Sequence, residues 1–169
     1  MMDRELRRIE AAAAALRAEA LALPPTRFIP MPSAEQYSGC WRVFLLDAGR
    51  WAHEYPQVDL EANRACCPAA TALLRSLPGV NVAGFLRLET GAELKPHQDH
   101  REDNEVRVHL ALQLPPDEAL LWPEGTARLL DVRQTHAATN RSDRPRITFT
   151  LDLRLPEPLD PLRIPPWNP

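Results

Sequence analysis

Two long stretches of this chain alternate apolar and polar side chains, and that alternation restricts the fold more than any other feature. In Val106 to Leu114, the residues Val106, Val108, Leu110, Leu112 and Leu114 share one face of an extended segment, and Arg107, His109, Ala111 and Gln113 share the other. In Ile147 to Leu155, Ile147, Phe149, Leu151 and Leu153 likewise oppose Arg146, Thr148, Thr150 and Asp152. Such a pattern ordinarily marks a sheet with one face in water. A small barrel with a polar lumen for a charged ligand produces the same pattern, so the choice rests on chemistry elsewhere in the chain.

The rest of the sequence agrees with a mainly β fold. Short apolar runs at Trp41 to Leu46, Val80 to Leu88 and Leu129 to Val132 are punctuated by Pro and Gly, with no regular helices between them. This favours an antiparallel sandwich or barrel over a parallel α/β sheet. Flanking helices are expected at Asp3 to Leu23, as one amphipathic helix ended by Pro24-Pro25, and at Cys67 to Leu77, ended by Pro78-Gly79. The expected organisation is one domain over 1–155, with an N-terminal helix in 1–24 and a β core in 25–155. Residues 156–169, with six prolines, form a tail read as passive.

Composition removes several function classes. A chain of 169 residues with 44% hydrophobic content can bury one core. Its 20 Lys plus Arg against 23 Asp plus Glu, without a long basic run, predict no nucleic-acid partner. No apolar stretch approaches a membrane helix, and Met1-Met2-Asp3-Arg4-Glu5 lacks the start of a signal peptide, so no membrane association and a cytoplasmic location are expected. Cys40, Cys66 and Cys67 make neither a disulfide framework nor a zinc pattern and are read as small buried residues, with a reactive thiol left open.

The chemistry begins at Lys95-Pro96-His97-Gln98-Asp99, where a two-residue offset puts an imidazole and a carboxylate on one side of an extended chain. His136, just after the run Leu129 to Val132, stands where a third ligand should come from. Two histidines and one carboxylate on one octahedral face leave positions open, the arrangement of non-haem iron(II) oxygenases; zinc, which prefers four-coordinate sites, matches less well. His97, Asp99 and His136 are therefore the candidate metal and catalytic residues. Alone, a His-x-Asp pair is a weak signal.

Arg146 adds specificity. It lies ten residues beyond His136, at the head of the last strand on its polar face, and a guanidinium there can grip a carboxylate through two parallel hydrogen bonds. A dicarboxylate that chelates iron at one end needs such an anchor at the other, which points to 2-oxoglutarate as cosubstrate with O2 as oxidant.

These stretches together, Gly91-Ala-Glu-Leu-Lys-Pro-His97-Gln-Asp99, Arg107-Val-His109-Leu, Trp122-Pro-Glu-Gly125, His136 and Arg146, resemble the aspartyl/asparaginyl β-hydroxylase family of Fe(II)/2-oxoglutarate-dependent dioxygenases, over about Tyr37 to Leu155. The resemblance implies a double-stranded β-helix (jelly-roll, cupin-like), iron held by His97 and His136, Arg146 on the distal carboxylate of 2-oxoglutarate, and Arg107 and His109 in the cosubstrate pocket. Animal members lack a carboxylate at the second ligand position, which Asp99 supplies here. Where they carry an arginine toward an acidic substrate, this chain reads Glu102-Asp103-Asn104-Glu105, which weighs against an acidic substrate side chain. A hydroxyl they use for the cosubstrate aligns with Leu86, and Thr148 is the candidate to replace it.

The reading is thus a hydroxylase of an unactivated C–H bond, at the β-carbon, of an amino acid, a peptide or a carrier-bound aminoacyl group, forming succinate and CO2. The alternatives are a metal-dependent cupin-like isomerase or lyase and a non-catalytic cupin-type binding module. His53 and His100 are read as exposed and unliganded, and Trp122 is given no catalytic role.

Overall fold

Strand β9 (Arg146–Arg154), the second of the alternating segments, lies inside a six-stranded antiparallel sheet and is buried at every position but Arg154. This computed structural model describes residues 2–157 and Ile164. The large sheet runs β1 (Ile29–Pro30), β3 (Trp41–Asp47), β4 (Val80–Leu88), β9, β6 (Glu105–Gln113) and β7 (Ala127–Leu130), and a three-stranded sheet runs β2 (Tyr37–Ser38), β5 (Glu93–His97) and β8 (His136–Thr139). Both sheets have only antiparallel neighbours. The fold is mainly β with flanking helices, in the double-stranded β-helix or jelly-roll arrangement expected from the sequence.

The two faces of the large sheet do different work. Phe85, Val108, Leu110, Phe149 and Leu151 pack with Ile9, Leu16 and Ala20 of helices α1 (Met2–Ala11) and α2 (Ala13–Ala22), and with Leu73 beside Leu77 at the end of α4 (Pro68–Ser76). Each such side chain fully removed from water contributes about 1.5–3 kcal/mol of transfer free energy, so the helix-covered face holds most of the fold together. The opposite face looks toward the small sheet. Trp41 and Leu88 from one sheet meet Tyr37, Leu94 and Ala138 from the other in a separate apolar cluster, which closes one end of the space between them.

That space settles the ambiguity in the alternating strands. Thr148, Thr150 and Asp152 on the polar face of β9 are 0%, 7% and 1% exposed, so this face is not solvated but lines an interior. The half-wet sheet is excluded and the polar lumen stands. Register sets its composition: His109 pairs with Thr150, Arg107 with Asp152, and Leu86 with Thr148.

Three local expectations change. The N-terminal helix is two segments, because the Ala12 amide donates to Ile9 rather than to the residue four back, tightening the turn there. Two short helices, α3 (Leu60–Cys66) and α5 (Pro116–Leu121), were not anticipated; Asp59 caps α3 by accepting from the Ala62 amide at 2.9 Å. Of the cysteines read as buried, Cys67 is, Cys40 is partly so, and Cys66 is exposed at the end of α3. Pro78-Gly79 does end α4 as expected: Gly79 has φ 69° and a Cβ there would sit 2.2 Å from the Arg154 carbonyl oxygen, so only glycine fits the turn. No helix among the described residues is long and apolar enough to cross a membrane. The tail expected over 156–169 lies mostly outside the described residues.

Candidate active site

His97 and His136 end up opposite each other because β5 and β8 pair in register there, bringing their ring centroids to 4.2 Å. Each ring is held by a backbone carbonyl two residues before it. The Nδ1 of His97 lies 2.8 Å from the Lys95 carbonyl oxygen, and that of His136 lies 3.0 Å from the Gln134 carbonyl oxygen. A carbonyl only accepts, so Nδ1 carries the proton in both rings and each Nε2 presents a lone pair. Asp99 lies just past the end of β5, its amide donating to the Val132 carbonyl at 2.8 Å, and its Oδ1 is 3.7 Å from Nε2 of His97. One ligand atom from each of His97, Asp99 and His136 falls within 4.8 Å of the other two, so the structure brings together the three residues chosen from the sequence. Burial pushes the His136 imidazole below its ordinary pKa, outweighing the raising effect of its Gln134 hydrogen bond, and favours the neutral, ligating form.

Arg107 fixes the third ligand. Its Nη1 donates to Oδ2 of Asp99 at 2.8 Å, while Nε and Nη2 hold both oxygens of Asp152 at 2.7 and 3.0 Å. Burial opposes its charge, but Asp152 and Asp99 outweigh that and hold the guanidinium above its ordinary pKa. Arg101 closes the network, donating from Nε to Asp152 at 3.1 Å. Arg107, expected to line the cosubstrate pocket, lines a cavity between the sheets, and its donors are committed to carboxylates of the protein.

A cavity of about 40 Å³ lies between the sheets, with His97, His136, His109, Arg107 and Arg146 among its walls. Its polar groups are poorly satisfied. Both ring nitrogens of His109 are buried without a partner; Oγ1 of Thr148, opposite Ala111 on the neighbouring strand, is likewise buried and unpartnered but lies outside the walls of this cavity. Burial, followed by the charges of Arg107, Arg146 and His136, holds His109 well below its ordinary pKa, so the ring is neutral. Buried polar atoms without partners are uncommon in native folds and mark places where a ligand completes the hydrogen bonding. Arg146, 6% exposed, enters the same cavity, and its Nε and Nη2 are gripped by Glu118 of α5 at 2.8 Å each.

Sequence reasoning did not find Asp152, Arg101 or Glu118. Asp152 had a usable signal, since it shares the polar face of β9 with Arg146. Glu118 had none, because a short helix thirty residues away places it there. Trp122, read as packing, is 1% exposed with its indole N–H donating to the Thr126 carbonyl at 3.1 Å, yet it also stacks on His109 at 6.5 Å and sits under the Arg146 guanidinium at 5.8 Å. His53 and His100 are exposed and outside the triad, as read.

A family model described as aspartyl/asparaginyl beta-hydroxylase matches residues 10–156. The chain belongs to this family. Among curated proteins, this β-hydroxylase-family chain is similar to an ornithine lipid ester-linked acyl 2-hydroxylase of Rhizobium tropici, 30% identical over 109 residues that cover 59% of this chain and 38% of the relative. The chain thus spans well under half the length of that relative. Among solved structures, it is similar to a Pseudomonas putida prolyl-4-hydroxylase (TM-score 0.44, 15% identity, covering 88% of this chain and 86% of that one). It is also similar to AviO1 from Streptomyces viridochromogenes Tue57 (TM-score 0.48, 17% identity, 89% and 87%).

For a member of a hydroxylase family, the donor set is chemically apt. Two neutral imidazole nitrogens and one carboxylate oxygen, converging from one side, suit a divalent transition metal with positions left for other ligands. On the far side of Arg107 a second, larger cavity of about 280 Å³ reaches Asp99 and Arg101, so the triad stands between two spaces.

Proposed function

We propose that this chain is an Fe(II)- and 2-oxoglutarate-dependent hydroxylase acting on an unactivated C–H bond, at the β-carbon, of an amino acid, a peptide or a carrier-bound aminoacyl group. The overall reaction is R–H + O2 + 2-oxoglutarate giving R–OH + succinate + CO2. The observation that carries the reading is the placement of the metal-ligand triad between a small cavity ending at Arg146 and a large one ending at Asp99.

His97, Asp99 and His136 would hold the iron, which supplies oxygen activation when bound. The protein's own residues do the rest. Nδ1–H bonds to Lys95 and Gln134 aim both imidazoles, and Arg107 turns Asp99 so that its Oδ1 faces the histidines. Arg146 offers its Nη1 side to a distal carboxylate while Glu118 steadies the other edge. Thr148 and neutral His109 supply hydrogen-bonding atoms with no partner in the protein. Apolar walls at Leu86, Leu88, Leu94 and Leu130 exclude water around them.

The test is a screen of amino acids, peptides and carrier-bound aminoacyl groups for stimulated conversion of 2-oxoglutarate to succinate, with detection of a product heavier by one oxygen atom. Stimulated succinate matched to that product is the expected result. Metal-dependent conversion of a substrate without consumption of O2 would overturn it in favour of a cupin-like isomerase or lyase.

A further inference from the structure

We infer that the larger cavity receives an aliphatic chain carrying no carboxylate, with a cationic group at the rim; this rests on the proposed hydroxylase reading and narrows its substrates to a basic side chain of a peptide or carrier-bound aminoacyl group, away from a free amino acid. The cavity holds about 280 Å³ and reaches the ligand Asp99, so a chain lying in it presents its C–H bonds to the metal side of the site. Its floor is apolar. Val43, Leu45 and Ala48 are 3%, 4% and 1% exposed and belong to one hydrophobic cluster with Val82 and Leu86, Trp51 and Tyr55 add aromatic wall, and the polar lining includes Ser33, Gln36 and Gln98.

The charges in the wall decide against an acidic occupant. Arg101 and Arg107 are the cations that line it, and both are spent: Arg107 on Asp152 and Asp99 at 2.7 and 2.8 Å, Arg101 on Asp152 at 3.0 Å. A substrate carboxylate would be desolvated there without a free guanidinium to receive it, at a cost apolar burial cannot offset. At the exposed rim stands Glu54, which among the described residues has no Lys or Arg in ion-pair contact, its one ionic neighbour being His53 at 4.0 Å. A cation at the outer end of the chain therefore meets a carboxylate that His53 alone approaches. Deeper in, Thr150 is 7% exposed with its hydroxyl unpartnered, which allows one neutral polar group along the chain.

The test is a calorimetric titration of butylamine, hexylamine and octylamine, and of the carboxylates of equal length, into full-length protein loaded with Zn(II) and 2-oxoglutarate. The amines should tighten roughly fourfold for each added methylene, the increment expected of hydrocarbon leaving water. The carboxylates should bind at least about tenfold more weakly, and Glu54→Gln should erase much of that difference. Ala48→Phe, which fills the floor, should abolish the chain-length dependence; Trp51→Ala, a milder change, should flatten it. Affinity independent of chain length, carboxylates binding as well as amines, or Trp51→Ala leaving the series unchanged would overturn the inference. The same series on metal-free protein reads the cavity alone, so a failure of 2-oxoglutarate to bind counts against the hydroxylase reading and not against the chain-binding cavity.

Discussion

Arg107 donates from Nη1 to Oδ2 of Asp99 at 2.8 Å, so a residue of the large sheet orients a candidate metal ligand that follows the small one. The same guanidinium carries Asp152, which is 1% exposed. Replacing Arg107 by Ala leaves that buried carboxylate with Arg101 as its remaining cation and should lower stability by less than the about 3–5 kcal/mol of a fully unpaired buried charge. It should also weaken metal binding by roughly 10–100-fold, the usual penalty for losing the group that orients a ligand. Thermal unfolding and chelator competition measure the two effects separately. Asp152→Asn should lower stability less, while Asp99 keeps its contact.

Metal should stabilise the fold through the triad. At a metal concentration about 100 times its Kd, the gain is about 2.7 kcal/mol, seen as a rise in Tm that a chelator reverses. In His136→Ala the rise should largely vanish, because one ligand and its backbone anchor at Gln134, just before β8, are no longer used. A full rise in that variant would place the metal elsewhere.

In the proposed reaction Arg146 would anchor the cosubstrate and Glu118 would steady Arg146. Arg146→Ala removes the cation facing the small cavity and should raise the KM for 2-oxoglutarate by roughly 10²-fold or more. Glu118→Ala leaves the cation but frees its Nε and Nη2 edge, so a smaller rise of several-fold is expected with kcat little changed. Initial rates across a 2-oxoglutarate series distinguish the two.

Acid sensitivity follows from His109. Burial, then the charges of Arg107, Arg146 and His136, keep it neutral in the fold well below its ordinary pKa, whereas the unfolded chain protonates it near pH ~6.5. Between the depressed folded value and about 6.5 the unfolded state binds more protons, so stability rises with pH across that window and falls on acidification. Denaturant titrations of the metal-free protein between roughly pH 5 and 7 should show this slope, and His109→Gln should reduce it.

The sequence carried the ligand triad because strand geometry makes a two-residue offset meaningful, and it carried the polar lumen because β6 and β9 alternate strictly. It could not decide whether that polar face was wet, since the answer depends on the second sheet, whose strands β2 and β8 have little sequence signature. Glu118 and Arg101 were illegible for a similar reason: one reaches Arg146 across 28 residues and the other reaches Asp152 across 51, and only tertiary packing sets either contact. Glu105, part of the acidic run set against an acidic substrate, is 7% exposed and tied to Arg50 at 2.8 Å, so its role is to hold β6 to the loop after β3. An acidic substrate is disfavoured instead by Arg101 and Arg107, whose donors Asp99 and Asp152 already take.

The most direct test is a calorimetric titration of 2-oxoglutarate, under argon, into protein with and without Fe(II). Binding of about one equivalent that requires Fe(II), is lost in His136→Ala and is strongly weakened in Arg146→Ala is the result predicted. Equal binding with and without iron, or binding unaffected by His136→Ala, would contradict the assignment of His97, Asp99 and His136 as the iron site of a 2-oxoglutarate-dependent hydroxylase.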